Sequence, residues 1–188
     1  MDDKIDLLFN LYKCFGKADY LGEPISQEEH ALQCGQLALA EKKDDDEFVV
    51  AALFHDIGHL AGHWLDLPTM DHVGVLNHEG IGATVMKNLG FTDRVCDLIR
   101  HHVDAKRYLR YKDSSYPLSS GSEESLKRQG GPMTKEEALQ YESDNRMKDY
   151  ILLRSFEDRG KIPGLQTLNW EHYRSVLKRV FVVQKTSE

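Results

Sequence analysis

A chain of 188 residues is long enough for one domain with a buried core and leaves little room for a second. Hydrophobic residues make up 40% and charged residues 29%, as in an ordinary globular protein, and the net charge of −7 argues against a broad nucleic-acid-binding surface. No apolar run reaches the ~20 residues of a membrane span, and the N-terminus MDDKIDLL is acidic where a secretory signal would be basic, so we expect a cytoplasmic protein with no membrane partner.

The first half of the chain shows the helical spacing of apolar residues. Residues 4–14 predict a first helix, and the S-x-x-E capping box at Ser26 predicts a second helix over 26–42. Residues 48–62, FVVAALFHDIGHLAG, are apolar nearly all round. A buried strand would fit this pattern, but the length and the alanine pair favour a helix in the core. Residues 63–76 contain a proline and indicate a loop.

The helical pattern continues in the second half. A helix over 77–90 starts at an asparagine cap and ends at a glycine, and a threonine cap starts the next helix, over 92–109. Helical spacing resumes over 134–161, with a break near Ser143, and a last amphipathic helix covers about 170–183.

Residues 112–133 are rich in serine, glycine and charge, which predicts a surface loop or a lid over the site. The sequence contains no convincing strand pairs and no internal repeat. We therefore expect an all-α protein that forms a single domain over 1–188, as a monomer or weak oligomer.

The motif HDIGH is the first indication of chemistry. On one helix, His55 and His59 would share a face, with Asp56 a step around it. A buried aspartate between two buried histidines is costly unless its charge is compensated, and a divalent metal such as Fe, Mn or Zn compensates it well. An adjacent His-Asp pair also allows the carboxylate to bridge two metals. A hydrogen-bonded His–Asp pair in the core explains the dipeptide equally well.

Three further histidines favour the metal. His30, His78 and His102 each lie on or next to the apolar face of a separate predicted helix. Any one of them alone is more often a satisfied core or surface histidine. Four helices that each offer an inward histidine, together with one aspartate, are typical of a metal site between the helices of a bundle.

The order H…HD…H…H, followed by a late acidic residue, resembles the HD-domain superfamily. More narrowly, it resembles the mixed-valent di-iron oxygenases, the branch that contains myo-inositol oxygenase and the PhnZ-type phosphonate oxygenases. The resemblance to the PhnZ type covers most of the chain, through DYLGEPISQEEH (19–30), AALFHDIGH (51–59), NHEGIGA (77–83), HVDAKRYL (102–109), SLKRQGG (125–131) and LRSFEDRGKIPG (153–164). It implies a helical bundle that holds two irons as a mixed-valent Fe(II)/Fe(III) pair, with O2 as co-substrate.

The resemblance also implies the metal ligands. His30, His55 and Asp56 match the ligands of one iron. Asp56 would bridge to a second iron, held by His78 and His102.

At the position of the family's last metal ligand, this sequence departs from the family pattern. The family has an aspartate four residues before a lysine, and counting back four from Lys161 gives Glu157. We prefer Glu157 because it keeps the register and has a carboxylate, with the neighbouring Asp158 as the alternative.

Four positions match those that hold the phosphonate group in PhnZ-type enzymes: His59, Lys106, Ser122 and Gln129. Lys106 lies one helical turn after His102, so its ammonium can lie near the metals and suits a phosphonate dianion. Taken singly, a lysine here and polar side chains in a loop are more often solvated surface groups. We expect Asp56, His59 and Lys106 to act in the reaction.

Tyr20 and Glu23 match a pair on a mobile N-terminal loop of the family. There the tyrosine can occupy an iron position in the resting site, and the glutamate contacts the substrate's amino group. The residues alone indicate only a turn that carries a carboxylate.

The reaction that the resemblance implies is oxidative C–P bond cleavage of a 1-hydroxyphosphonate, such as (R)-2-amino-1-hydroxyethylphosphonate, to phosphate and a carboxylate (glycine). One alternative keeps the same ligands in an HD-domain metal-dependent phosphohydrolase, whose metal-bound hydroxide attacks a phosphoester or nucleotide. Another is an inactive HD module that binds a metabolite or partner, and the glutamate at 157 is the feature that supports it.

Overall fold

Helices form the regular structure of residues 1–20, 22–70 and 74–181, which the computed structural model describes. Three isolated antiparallel bridges are the only extended pairings in these ranges. The helices are α1 (Asp2–Phe15), α2 (Gln27–Glu41), α3 (Asp46–Phe54), α4 (Ile57–Trp64), α5 (His78–Leu89), α6 (Asp93–Arg100), α7 (His102–Lys112), α8 (Ser120–Arg128), α9 (Lys135–Glu142), α10 (Met147–Arg159) and α11 (Trp170–Val180). The all-α prediction is confirmed.

Helix α3 lies at the centre of the bundle. Every residue from Phe48 to Phe54 is buried, and α3 packs against α2, α6, α10 and α11. Around it, α4 packs against α1 and α5, while α10 packs against α2 and α7. None of the helices within the described ranges has both the length and the apolar character needed to cross a bilayer.

The predicted capping box forms at the start of α2. The Ser26 hydroxyl accepts a hydrogen bond from the Glu29 backbone N–H at 3.2 Å, and the Ser26 N–H donates to the Glu29 carboxylate at 2.7 Å. This reciprocal pair starts the helix one turn before His30, and it therefore fixes where His30 meets the core.

The long core helix predicted over 48–62 is two helices. Helix α3 ends at Phe54 and α4 begins at Ile57, so His55 and Asp56 form the junction. The prediction that His55 and His59 share one helical face is wrong, because the two belong to different elements. The apolar pattern hides the break, since every residue from Phe48 to Gly62 is buried.

A second junction divides the helix predicted over 92–109. Helix α6 ends at Arg100, His101 forms the junction, and α7 begins at His102. The break again falls directly beside a histidine that the sequence singles out. Both junctions therefore place a candidate ligand where one helix meets the next.

Helix α5 begins and ends where the sequence predicts, with one difference. Gly90 closes it with φ +98°, which glycine adopts readily. Asn77 occupies the N-cap position but has φ +57° and makes no side-chain capping bond. The left-handed residue instead turns the chain sharply into α5.

The segment 112–133 contains helix α8 and is not a loop throughout. Ser119 caps this helix by accepting a hydrogen bond from the Ser122 backbone N–H at 3.4 Å. Its buried face consists mainly of small polar residues, with Leu126 as its one large apolar member, so no apolar stripe reveals it.

The remaining helices agree with prediction, including the break near Ser143. For the last helix, positions 182 and 183 lie outside the described residues.

Candidate metal centre

Asp56 lies at the centre of a group of buried histidines. One carboxylate oxygen, Oδ2, lies 3.1 Å from His55 Nε2 and 3.7 Å from His30 Nε2. The other, Oδ1, lies 3.3 Å from His78 Nε2 and 3.5 Å from His102 Nε2. Each oxygen therefore faces its own pair of histidines, and the carboxylate joins the two pairs.

The hydrogen bonds of these rings determine which nitrogen carries the proton. In three of them Nδ1 lies against a backbone carbonyl, which can only accept: Gly160 for His30 at 2.8 Å, Ala52 for His55 at 2.9 Å and Ile99 for His102 at 2.7 Å. Nδ1 therefore donates, and Nε2 of the neutral ring offers a lone pair toward Asp56.

Two pairs of histidine Nε2 atoms face each other at close range, and the second pair includes His78. The distance is 3.2 Å between His30 and His55, and 3.0 Å between His78 and His102. Facing lone pairs repel unless a proton or a cation lies between them. Burial and the neighbouring His55 lower the pKa of His30 to about 3. Burial opposes a charge on His55, but the Asp56 carboxylate raises the pKa of His55 to about 9. If a proton and not a metal ion lies between the two rings, His55 carries it, because the pKa of His55 is the higher of the two.

These donors fit metal ions. Imidazole nitrogen with carboxylate oxygen is a ligand set that suits Fe, Mn and Zn. Two ligand atoms that each lie about 2.1 Å from one ion, at right angles to each other, are about 3 Å apart. The shortest distances between candidate ligand atoms agree with this value: 3.1 Å from His55 Nε2 to Asp56 Oδ2 on one side, and 3.0 Å between Nε2 of His78 and of His102 on the other. Asp56 Oδ2 is buried and has no hydrogen-bond partner among the described residues. The site has the donors for one ion on each carboxylate oxygen.

His59 has the opposite arrangement of protons. Its Nδ1 accepts a hydrogen bond from the Val75 backbone N–H at 3.0 Å, so Nε2 of the neutral ring carries the hydrogen. That Nε2 is buried, lies 3.9 Å from Asp56 Oδ1 and makes no hydrogen bond within the described ranges. His59 therefore offers a donor to the pocket where the other histidines offer lone pairs.

Of the two late carboxylates, Glu157 faces the site. It is 2% exposed, and its Oε2 accepts a hydrogen bond from Arg154 Nη1 at 2.6 Å. Its Oε1 is buried without a hydrogen-bond partner in the described part of the chain, and burial raises the pKa of Glu157 although Arg154 opposes this. Asp158 points elsewhere, where it pairs with Arg154 and accepts a hydrogen bond from the Tyr116 hydroxyl at 2.9 Å.

A pocket beside the metal centre is lined by polar residues of α7 and α8. Lys106 is 4% exposed, and its Nζ donates to Ser125 Oγ at 2.8 Å. Burial, with a contribution from the Arg154 guanidinium, lowers the pKa of Lys106 to about 7. The side-chain oxygen of Gln129 is buried and has no partner among the described residues. Ser122 Oγ accepts from Arg154 Nη2 at 3.2 Å.

Arg154 is the charged residue of this pocket that sequence reasoning missed, and Ser125, which accepts from Lys106, was missed as well. Arg154 is 3% exposed, and its guanidinium hydrogen-bonds to Glu157, Asp158 and Ser122. An arginine three and four residues before two carboxylates is typical of an exposed helix face, so the pattern LRSFED hides a buried cation.

The N-terminal loop approaches the centre from the side of His30. The Tyr20 ring stacks on the His30 ring, with centroids 3.9 Å apart and planes 23° apart. Glu23 accepts a hydrogen bond from Lys161 Nζ at 3.3 Å, and Lys161 also donates to Ser119 Oγ at 2.7 Å. Lys161 thus links this loop to the start of α8.

The structure brings most of the predicted site residues together in this pocket. The predicted residues that line it are Tyr20, Asp56, His59, His78, His102, Lys106, Ser122, Gln129 and Glu157. His30 and His55 lie behind Asp56, while Glu23 and Asp158 lie outside the lining.

The HD-domain family model matches residues 28–146. The chain belongs to the HD-domain family. The matched span includes His30, His55, Asp56, His78 and His102 but ends before Glu157.

The chain is similar to two phosphonate dioxygenases along most of its length. It is 34% identical over 178 residues to [1-hydroxy-2-(trimethylamino)ethyl]phosphonate dioxygenase (glycine-betaine-forming) of Leisingera caerulea, covering 94% of this chain and 89% of that protein. It is 33% identical over 175 residues to hydroxymethylphosphonate dioxygenase of Gimesia maris, covering 92% and 86%. An uncharacterized protein of Acanthamoeba polyphaga mimivirus is 33% identical over 175 residues, covering 92% and 80%.

Proposed function

We propose that this protein is a di-iron oxygenase that uses O2 to cleave the C–P bond of a 1-hydroxyphosphonate. The substrate that we propose is (R)-2-amino-1-hydroxyethylphosphonate or an N-methylated relative. One O2 is consumed, and its two oxygen atoms balance the release of phosphate and glycine. The observation that carries the proposal is the Asp56 carboxylate between two histidine pairs, directly beside a pocket that contains Lys106.

The ligands divide into two sets that share Asp56. His30 and His55 would hold one iron with Asp56 Oδ2, and His78 and His102 would hold the other with Asp56 Oδ1. Glu157 Oε1, which is buried and unpartnered in the described structure, would supply the last protein ligand. When bound, the Fe(II)/Fe(III) pair supplies the activation of O2 and the oxidation of the hydroxylated carbon.

The pocket residues would bind the phosphonate. Burial and the neighbouring His78 hold the pKa of His59 well below its usual value, so its ring is neutral and its Nε2–H is a donor. Lys106 supplies a charge, and Ser122 and Gln129 supply neutral polar groups that can hydrogen-bond. A cation and neutral donors around one oxyanion are typical of phosphonate and phosphate recognition.

The amino end of the substrate would meet Glu23. The carboxylate of Glu23 is paired through Oε1 with Lys161 at 3.3 Å, and an ammonium group would bind Oε2 or take the place of Lys161 there. Lys161 retains Ser119 and Ser122 as acceptors at 2.7 and 3.3 Å, which keeps its charge at the phosphonate side of the pocket. The exchange would leave the substrate's ammonium paired with Glu23 and Lys161 hydrogen-bonded to two neutral hydroxyls.

The direct test is phosphate release by anaerobically purified, iron-loaded protein on addition of O2. The substrates to compare are 2-amino-1-hydroxyethylphosphonate, its trimethylated form and hydroxymethylphosphonate. We expect one O2 consumed per phosphate released with the amino compound. Absence of O2 uptake with every 1-hydroxyphosphonate would refute the proposal.

The second candidate is the HD-domain phosphohydrolase. The buried Lys106 beside the metal centre would suit a phosphoester as well as a phosphonate. Hydrolysis needs no O2, so phosphate release from nucleotides under strict anaerobiosis would favour it.

An inactive binding module is the third candidate. For that module, metal analysis should find no iron, whereas the oxygenase should hold two irons per chain.

A further inference from the structure

His78 differs from the other three candidate histidine ligands in what its outer nitrogen faces. Its Nδ1 lies 3.3 Å from Glu79 Oε2. The two atoms do not meet hydrogen-bond geometry, both are buried, and neither has another partner among the described residues. Two buried polar atoms left this close and unpaired indicate a contact that is completed in another state of the site.

The other three rings use neutral partners. Their Nδ1 atoms donate to backbone carbonyls at 2.7 to 2.9 Å. A carboxylate carries a full negative charge where a carbonyl carries only a dipole, so it makes the imidazole that it contacts a stronger electron donor at Nε2. The metal position of His78 and His102 therefore has one ligand whose Nδ1 faces a carboxylate, whereas both histidines at the position of His30 and His55 face backbone carbonyls.

The surroundings hold His78 in place for this contact. The His59 ring stacks on it, with centroids 3.9 Å apart and planes 15° apart. A Cβ at Gly58 would overlap the His78 carbonyl oxygen, so helix α4 presses directly against the start of α5. Glu79 lies in the first turn of α5, where the helix dipole favours a carboxylate.

We propose that Glu79 is a positioning residue that makes the two metal positions unequal. It accepts the Nδ1–H of His78, directs Nε2 toward Asp56 Oδ1, and stabilises the higher oxidation state at the position of His78 and His102. The inference rests on the proposed metal centre, and it does not depend on the substrate.

The test compares Glu79→Gln and Glu79→Ala with wild-type protein, in readouts other than turnover. We expect E79Q to fold and to bind two irons, with at least a tenfold shift of the Fe(III)/Fe(II) equilibrium toward Fe(II), which is about 59 mV for one electron. The EPR signal of the mixed-valent state should change with it. E79A, which removes the acceptor as well, should weaken Co²⁺ binding about 10- to 100-fold.

Glu29→Gln is the matched control. Glu29 lies in the first turn of α2 beside His30, but its carboxylate accepts from Ser26 and a glutamine preserves the capping box. E29Q should leave the potential and the EPR signal unchanged, and E79D, whose carboxylate lies farther from the imidazole, should have a potential between those of wild type and E79Q.

The outcomes separate the two proposals. An E79Q potential and EPR signal equal to wild type, with unchanged Co²⁺ affinity in E79A, would overturn the role of Glu79. If E79Q does not fold, the same comparison is made between E79D and wild type, where the longer carboxylate–imidazole distance should still raise the potential. A protein that shows these shifts but releases no phosphate would retain the role of Glu79 and lose the proposed reaction.

Discussion

Arg154 donates to one carboxylate oxygen of Glu157 at 2.6 Å and leaves the other oxygen buried and unpaired within the described structure. The arginine thus fixes the orientation of a glutamate that stands where the resemblance leads one to expect an aspartate. Because Arg154 hydrogen-bonds to Oε2, Oε1 is the oxygen of Glu157 that is left without a partner in the described structure and is available to a metal. The extra methylene of the glutamate does not move its carboxylate out of the pocket.

Replacing Glu157 should therefore affect metal binding. We expect Glu157→Gln to lower the affinity for the ion on its side about 10- to 100-fold, because the amide oxygen carries no charge. Asp158→Asn is the matched control, and it should keep two irons per chain. The measurement is iron content after dialysis against a weak chelator, and equal iron loss in the two variants would contradict the assignment of Glu157.

Removing Arg154 should destabilise the protein, and metal should reduce the effect. Arg154→Met leaves the buried Glu157 carboxylate without its partner, which costs about 3–5 kcal/mol in the free energy of unfolding. A bound cation replaces part of the lost charge. We expect a smaller loss with Co²⁺ than without it in urea unfolding experiments, and an equal loss in both would show that Glu157 does not face the metal.

His59 and His55 should respond differently to mutation, although both belong to HDIGH. The Val75 N–H gives His59 a donor toward the pocket, so His59→Ala should retain two irons and raise KM for the phosphonate about tenfold or more. His55→Ala should lose iron. Metal analysis and steady-state kinetics distinguish the two, and iron loss in H59A would make His59 a ligand.

The buried ammonium of Lys106 predicts a pH dependence. Burial and Arg154 lower its pKa to about 7. Lys106 is therefore charged below that pH and neutral above it, and kcat/KM for the phosphonate should fall as the pH rises through about 7. Lys106→Arg stays charged throughout and should remove this alkaline decline, whatever its absolute activity. A decline that is the same in K106R would assign it to another group.

Local signals in the sequence predicted the helix ends well. The capping box at Ser26 and the glycine after α5 both act within one turn, so their residues alone determine the result. The junctions at His55–Asp56 and at His101 depend on how neighbouring helices pack, and the apolar pattern continues across both. The sequence therefore predicted which residues face the site but placed them on helices that are too long.

The pocket beside the metal centre was harder to predict. Helix α8 buries serines, and Arg154 occupies a position that usually faces solvent, so neither stands out by residue type. The resemblance to the family indicated Ser122 and Gln129 but could not indicate the hydrogen bond between Ser122 and Arg154. The single-domain organisation over 1–188 and the cytoplasmic location stay predictions.

The hydrogen bond between His30 and the Gly160 carbonyl joins residues 130 positions apart. A nascent chain that has emerged only to the end of α9 would already contain the four histidines and Asp56. His30 would have no partner to hold its ring, and Glu157 would still be missing. The order of synthesis therefore delays the completed centre until α10 has docked on α2, and a metal that arrives earlier meets an incomplete and weaker site.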